Sequence, residues 1–180
     1  MLIDTPIRPL GFVDSRKLIE RVLAAEESSW YADPRRQNDY EVHAQTQSII
    51  LVFFEGWPQV NVFHGSGWDV FGDLTLPIME EIVEKHYPPG GMVLRVVLAR
   101  LPPACQIESH VDKHASFSVA HRIHVPLVTN PQVDFIVGPE RIVTRANHAF
   151  ELNNHMFHSV ANHGDTARIH LIFDYAPNPG

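Results

Sequence analysis

Apolar positions change their spacing twice along the chain. From Asp14 onward, Leu18, Ile19, Val22 and Leu23 recur at intervals of three and four with charges on the other face, which predicts an amphipathic helix from about Ser15 to Glu27. Asp14 or Ser15 offers a side-chain oxygen to its exposed first amides. The stretch WYADPRRQNDY is polar and aromatic and reads as an ordered surface loop, whereas TQSIILVFF is a compact apolar run that reads as a buried strand. HGSGWDVFGD reads as a flexible turn; its G-x-G lacks the third glycine and the strand-to-helix setting of a dinucleotide site. Leu74, Ile78, Met79, Ile82 and Val83 then restore helical spacing. They predict a second helix from about Leu76 to Lys85, stopped by the prolines and glycines of KHYPPGG.

Beyond Gly91 the pattern becomes that of strands. MVLRVVLARL, SVAHRIHVPLV, VDFIV, AFELNN, HSVAN and RIHLIFDY are short and rich in β-branched and aromatic residues, and LPPA, TNPQ, GPE and NHGDT separate them with turn chemistry. Helices first and strands afterwards predict a mainly β, α+β fold: a closed or sandwiched antiparallel sheet with helices buttressing one outer face. The 180 residues suffice for one domain, with residues 1–90 supplying helices and supporting strands and residues 91–176 the β core.

Two of those strands carry the same tripeptide. In RIHLIFDY, Ile169, Leu171 and Phe173 share one face and Arg168 and His170 the other; in HRIHVPL, Ile123, Val125 and Leu127 oppose Arg122 and His124. A single strand of this kind turns its polar face to water. Two such strands, each downstream of another histidine, point to a polar face lining a cavity.

Charge and composition narrow the chemistry. Asp and Glu outnumber Lys and Arg by 21 to 14, and the basic residues are scattered, so no stripe exists for a phosphate backbone and nucleic acid is not an expected partner. The single Cys105 excludes an internal disulfide and a multi-cysteine zinc site, which fits a reducing, cytoplasmic setting. No apolar run approaches bilayer length and MLIDTPIRPLGF has no signal-peptide pattern, so no membrane association is expected.

His110 and Asp112 are separated by one residue, so in an extended segment both side chains leave the same face and can grasp one small object. A histidine from elsewhere would complete the two-histidine, one-carboxylate face that holds non-haem Fe(II) with three positions open. His158 in MFHSVAN, ten residues before Arg168, is the best third donor. His110 and His114 have the spacing of a helical zinc pair, but Val111 stands where such a pair carries its glutamate.

The succession ESHVD, AHRIHVPLVTN, ELNNHMFHSVAN and RIHLIFDY resembles the aspartyl/asparaginyl β-hydroxylase family of Fe(II)- and 2-oxoglutarate-dependent oxygenases, over about Met92 to Tyr175. The resemblance implies a double-stranded β-helix, the jelly-roll core of cupin-like proteins, with His110, Asp112 and His158 as iron ligands. It implies that Arg168 pairs with the distal carboxylate of 2-oxoglutarate, for which a forked, permanently charged guanidinium is suited. His124 matches a position near the cosubstrate, and Arg122 one that faces cosubstrate or substrate. A hydroxyl that helps hold the distal carboxylate in some members falls near Ala99. The implied reaction uses Fe(II), 2-oxoglutarate and O2 to hydroxylate an amino acid, a peptide side chain or a related small metabolite.

Two other readings remain open. A cupin-type metalloenzyme working without 2-oxoglutarate would keep the three ligands but not need Arg168. A non-enzymatic jelly-roll binding module would use the histidines structurally. His114, His121 and His155 are expected to be exposed or locally hydrogen-bonded, and His170 is either an interior histidine or pocket wall. Tyr31, Arg35, Arg36, Trp57 and Trp68 come from segments read as loops, where they cap the core or close over a barrel mouth.

Overall fold

In the computed structural model, residues 3–35 and 44–177 are described. Two antiparallel sheets face each other. The larger has seven strands in the order β1-β9-β6-β11-β4-β2-β3, and the smaller has four in the order β5-β10-β7-β8. The strands are β1 (Ile7–Phe12), β2 (Gln47–Glu55), β3 (Asn61–His64), β4 (Met92–Leu101), β5 (Gln106–His110), β6 (His121–Val128), β7 (Val133–Val137), β8 (Glu140–Arg141), β9 (His148–Leu152), β10 (His158–Asn162) and β11 (Arg168–Ala176). Among the described residues, the longer helices are α1 (Arg16–Leu23) and α2 (Trp68–His86). This is the expected mainly β jelly-roll with buttressing helices.

The large sheet is covered on both sides, and the period of two sorts its residues. Ile123, Val125, Leu127, Ile169, Leu171 and Phe173 form the outer face, where they pack against Leu18 and Val22 of α1 and Ile78, Met79 and Ile82 of α2. The opposite face meets the small sheet through Leu101, Phe150 and Leu152 packed on Ile107, Phe135 and Val160. Central strand β11 is buried at all nine positions because it has neighbours in every direction. Its inward residues include Arg168, His170 and Asp174, which are polar and buried. Buried charge requires partners, and these lie at the site described below.

Several elements differ from the sequence expectation. Helix α1 ends at Leu23 rather than near Glu27, and residues Glu27–Tyr31 form a separate 3-10 turn that buries Trp30 beneath the Arg100 guanidinium. Asp14 does accept from the Arg16 amide at 3.2 Å, while the Ser15 hydroxyl donates to Asn147 Oδ1 at 2.6 Å instead of capping. Helix α2 begins at Trp68, so WDVFGD is helical and not a turn. Gly72 lies close under the Trp68 ring, which an added Cβ would meet at 3.0 Å, and Pro77 sits inside the helix although proline favours a first turn. Strand β1 pairs with β9 at the sheet edge, where Pro9 and a positive-φ Gly11 are tolerated at a register shift. Of WYADPRRQNDY, residues Arg36–Tyr40 lie outside the described residues. Among the described residues no helix is long and apolar enough to cross a membrane.

Candidate metal centre

Antiparallel pairing brings the first and third candidate ligands together. His110, the last residue of β5, stands directly opposite His158, the first of β10, and their ring centroids are 4.3 Å apart. Asp112 follows β5 with its backbone amide donating to Asn154 O at 3.1 Å, and its Oδ1 lies 4.0 Å from His110 Nε2. One ligand atom from each of His110, Asp112 and His158 falls within 4.8 Å of the others.

The hydrogen bonds set the state of each donor. His110 Nδ1 lies 2.7 Å from Glu108 O, and His158 Nδ1 lies 3.0 Å from Met156 O. A carbonyl only accepts, so each Nδ1 carries the proton and each Nε2 keeps its lone pair for a metal. Burial pushes the His158 imidazole below its ordinary pKa, which keeps it neutral. Two imidazole Nε2 atoms and one carboxylate are a donor set that suits a non-haem ferrous ion with open positions.

The cavity behind this trio is narrow, with a volume of about 30 Å³. Its walls include Thr46, Ala99, Arg122, His124, Phe135, Leu152, Ile172 and Arg168 together with His110 and His158. Arg168 is buried, lies over the Phe135 ring and donates from Nη2 to His170 Nδ1 at 2.9 Å. A guanidinium only donates, so His170 Nδ1 is unprotonated and accepts. Burial, followed by the charges of Arg168 and His124, holds His170 well below its ordinary pKa. His124 Nδ1, 3.3 Å from the same nitrogen, therefore donates to it. Of the two options for His170, the structure shows an interior histidine behind Arg168.

Arg122 also reaches the cavity wall, but its guanidinium is engaged by protein carboxylates. Nη1 donates to Asp112 Oδ2 at 2.8 Å, while Nε and Nη2 donate to the two oxygens of Asp174 at 2.9 and 3.0 Å. Asp174 also accepts from Arg95 Nη1 at 3.0 Å. Burial alone would push the Asp174 carboxyl up, yet Arg122 and Arg95 outweigh it and hold the group below the usual carboxylate range. Sequence reasoning missed both Asp174 and Arg95. Alternation carried the signal: Asp174 shares a face with Arg168 and His170, and Arg95 is a charge set in the middle of the apolar run of β4.

The remaining candidates lie elsewhere. His114 bonds Ser116 and packs edge-on against Phe54 and Trp57. His121 lies on the outer face against Glu151 at 2.6 Å, and His155 Nε2 donates to Phe117 O at 3.0 Å. Tyr31 takes a hydrogen bond from Gln47, and Arg35 pairs with Asp33 and lies over Phe53 and Phe63. Trp68 opens α2 and stacks on His64, so it is not a loop residue. Ala99 is on the cavity wall, and the hydroxyl-bearing Thr46 stands on that wall with it.

A jelly-roll with two histidines and a carboxylate gathered at one end of its smaller sheet defines the fold class and a candidate metal site. A profile of the aspartyl/asparaginyl β-hydroxylase family matches residues 19–177, and the chain belongs to that family. Among solved structures it is similar to an oxidoreductase of the 2OG-Fe(II) oxygenase family from Burkholderia pseudomallei, at 12% identity and TM-score 0.65 over 98% of this chain and 87% of that one. It is also similar to a viral collagen prolyl hydroxylase from Paramecium Bursaria Chlorella virus-1, solved with 2OG, at 12% identity and TM-score 0.60 over 96% of each chain. A non-heme monooxygenase named ThoJ, in complex with Ni, matches at 14% identity and TM-score 0.55 over 95% of this chain and 73% of that one. At these identities the likeness is one of fold. No curated protein matches the chain in sequence.

Proposed function

We propose that the protein is an Fe(II)- and 2-oxoglutarate-dependent dioxygenase that hydroxylates an amino acid, a peptide side chain or a related small metabolite. The observation that carries this reading is the convergence of His110, Asp112 and His158 within 4.8 Å at a cavity whose wall also presents a buried Arg168. Bound iron would supply redox chemistry that couples decarboxylation of 2-oxoglutarate to succinate with insertion of oxygen into an unactivated C–H bond.

The protein's own part is positioning and exclusion. His110 and His158 present Nε2, and Asp112 presents Oδ1, because their other polar atoms are held by Glu108 O, Met156 O and Arg122. That arrangement occupies one side of an ion and leaves the other side to cosubstrate and dioxygen. Arg168 would grip the distal carboxylate of 2-oxoglutarate through paired N–H donors, with neutral His170 fixing the plane of its guanidinium. Phe135, Leu152, Val160 and Ile172 line the space between and keep water from it. Family membership does not choose a substrate, since a fold hosts many.

The test is a screen of free amino acids and short peptides with Fe(II) and 2-oxoglutarate, reading succinate and a substrate mass gain of one oxygen. Succinate tied to a hydroxylated product is the expected result. Stoichiometric iron uptake with product but no succinate would instead favour a metalloenzyme without 2-oxoglutarate, and absence of iron uptake would favour a binding module.

A further inference from the structure

Arg95 on β4, Asp174 on β11 and Arg122 on β6 are direct cross-strand partners, so period-two geometry aims all three side chains into the interior from the centre of the large sheet. Asp174 is wholly buried, and it receives Nε and Nη2 of Arg122 and Nη1 of Arg95. The two guanidinium groups then reach the β5–β6 connection at separate points. Arg122 binds Asp112, Arg95 donates to Ser116 Oγ at 3.2 Å, and both cover the Phe117 ring, at 4.3 and 5.0 Å from its centroid.

That connection carries the carboxylate ligand outside any strand. Its backbone tether at Asp112 is the bond to Asn154 O, which fixes the main chain and not the side chain. The carboxylate orientation comes from Arg122, which takes Oδ2 and leaves Oδ1 on the side of His110. A guanidinium on a flexible stem holds such a pose only if its own plane is fixed. The fork to Asp174 fixes it.

We infer that Asp174 is a positioning residue for the metal centre: acting through Arg122, it sets which oxygen of Asp112 faces the ion and in what direction. The inference rests on the metal-centre reading above. Outer partners of metal ligands typically change metal affinity by about 10–100-fold when altered, and that is the effect assigned to Asp174 here. Arg95 supports it from the other side and anchors the far end of the same connection through Ser116.

The experiment titrates the full-length chain with Co(II), reading affinity and the visible absorption of the bound ion, and needs neither cosubstrate nor turnover. Asp174→Asn, which keeps the volume and loses one acceptor oxygen, should weaken Co(II) binding by about 10–100-fold and alter the spectrum. Arg122→Lys, which keeps the charge and loses the fork, should do the same. The decisive arm is the cycle with Asp112→Asn: if Asp174 acts through that carboxylate, adding Asp174→Asn to Asp112→Asn should cost little more. An equal loss with and without the Asp112 carboxylate would overturn the proposal, as would wild-type affinity and spectrum in either single variant. Failure of both single variants to fold would also overturn it, by assigning these charges to the fold. A wild-type chain that takes up no Co(II) would refute the metal centre itself, a result distinct from the others.

Discussion

On β6, Arg122 donates to two carboxylates, Asp112 at 2.8 Å and Asp174 at 2.9 and 3.0 Å; on β11, Arg168 donates at 2.9 Å to His170, an imidazole held neutral by burial. Both arginines begin the tripeptide Arg-Ile-His and both line the same cavity. Register separates them. In the antiparallel pair, Arg122 stands beside Asp174 while Arg168 stands beside Leu101 at the other end of β11. The repeated tripeptide thus places one guanidinium against the candidate ligand Asp112 and the other deeper along the wall, beside a neutral neighbour. Residue type decides what a side chain can do, and the partner across the ladder decides what it does.

The largest expected effect comes from the two candidate ligand histidines. His110→Ala or His158→Ala should reduce coupled succinate formation to background while the thermal transition shifts by only a few degrees, because neither ring belongs to an apolar cluster of the core. Circular dichroism melts beside the turnover assay check this. Unfolding of both variants would make the histidines structural.

The next effect separates the two faces of β11. Leu171 is fully buried on the outer face between His170 and Ile172. Leu171→Ala should cost about 2–5 kcal/mol of stability through the cavity it leaves, read by urea unfolding, while the folded protein keeps its cosubstrate KM. Arg168→Ala should do the reverse. Loss of a charged hydrogen-bond pair of about 1.5–3 kcal/mol predicts a rise in the 2-oxoglutarate KM of about 10–100-fold. Succinate formation unaffected by Arg168→Ala would remove the cosubstrate role from this strand.

The sequence revealed the β-rich half of the fold because its strands are short, alternating and punctuated by prolines and glycines. Strand β1 was hidden since Pro9 and Gly11 break its pattern, and only pairing with β9 makes it a strand. The start of α2 was hidden because Gly65, Gly67 and Gly72 resemble a turn until Trp68 is seen packed on Gly72. His110, Asp112 and His158 were legible from spacing and family pattern. Asp174 was not, for a physical reason: alternation tells which face a residue occupies, but register tells what it meets, and register is a tertiary property. His121 shows the converse. It has the parity of Ile123, so alternation alone assigns it to the outer face, where it meets Glu151.

The smallest effect concerns the neutral partner of Arg168. His170 is wholly buried, and burial, then the charges of Arg168 and His124, keep its folded pKa well below the ordinary value of 6.5. For a base with a depressed folded pKa, the unfolded chain binds a proton that the folded chain does not. Stability contributed by neutral His170 is therefore complete above pH 6.5 and is lost as pH falls below it. Across the interval from pH 7.5 to 5.5 this contribution falls by on the order of 1 kcal/mol. His114 and His158 are also depressed, so the informative quantity is the difference between wild type and His170→Asn, in which they cancel. Urea unfolding free energies at the two pH values should show wild type losing more stability than the variant as pH falls, by on the order of 1 kcal/mol. Parallel profiles would mean that His170 accepts a proton beside Arg168 in the folded state. The contrast between an arginine set against carboxylates and one set against a neutral ring would then be lost.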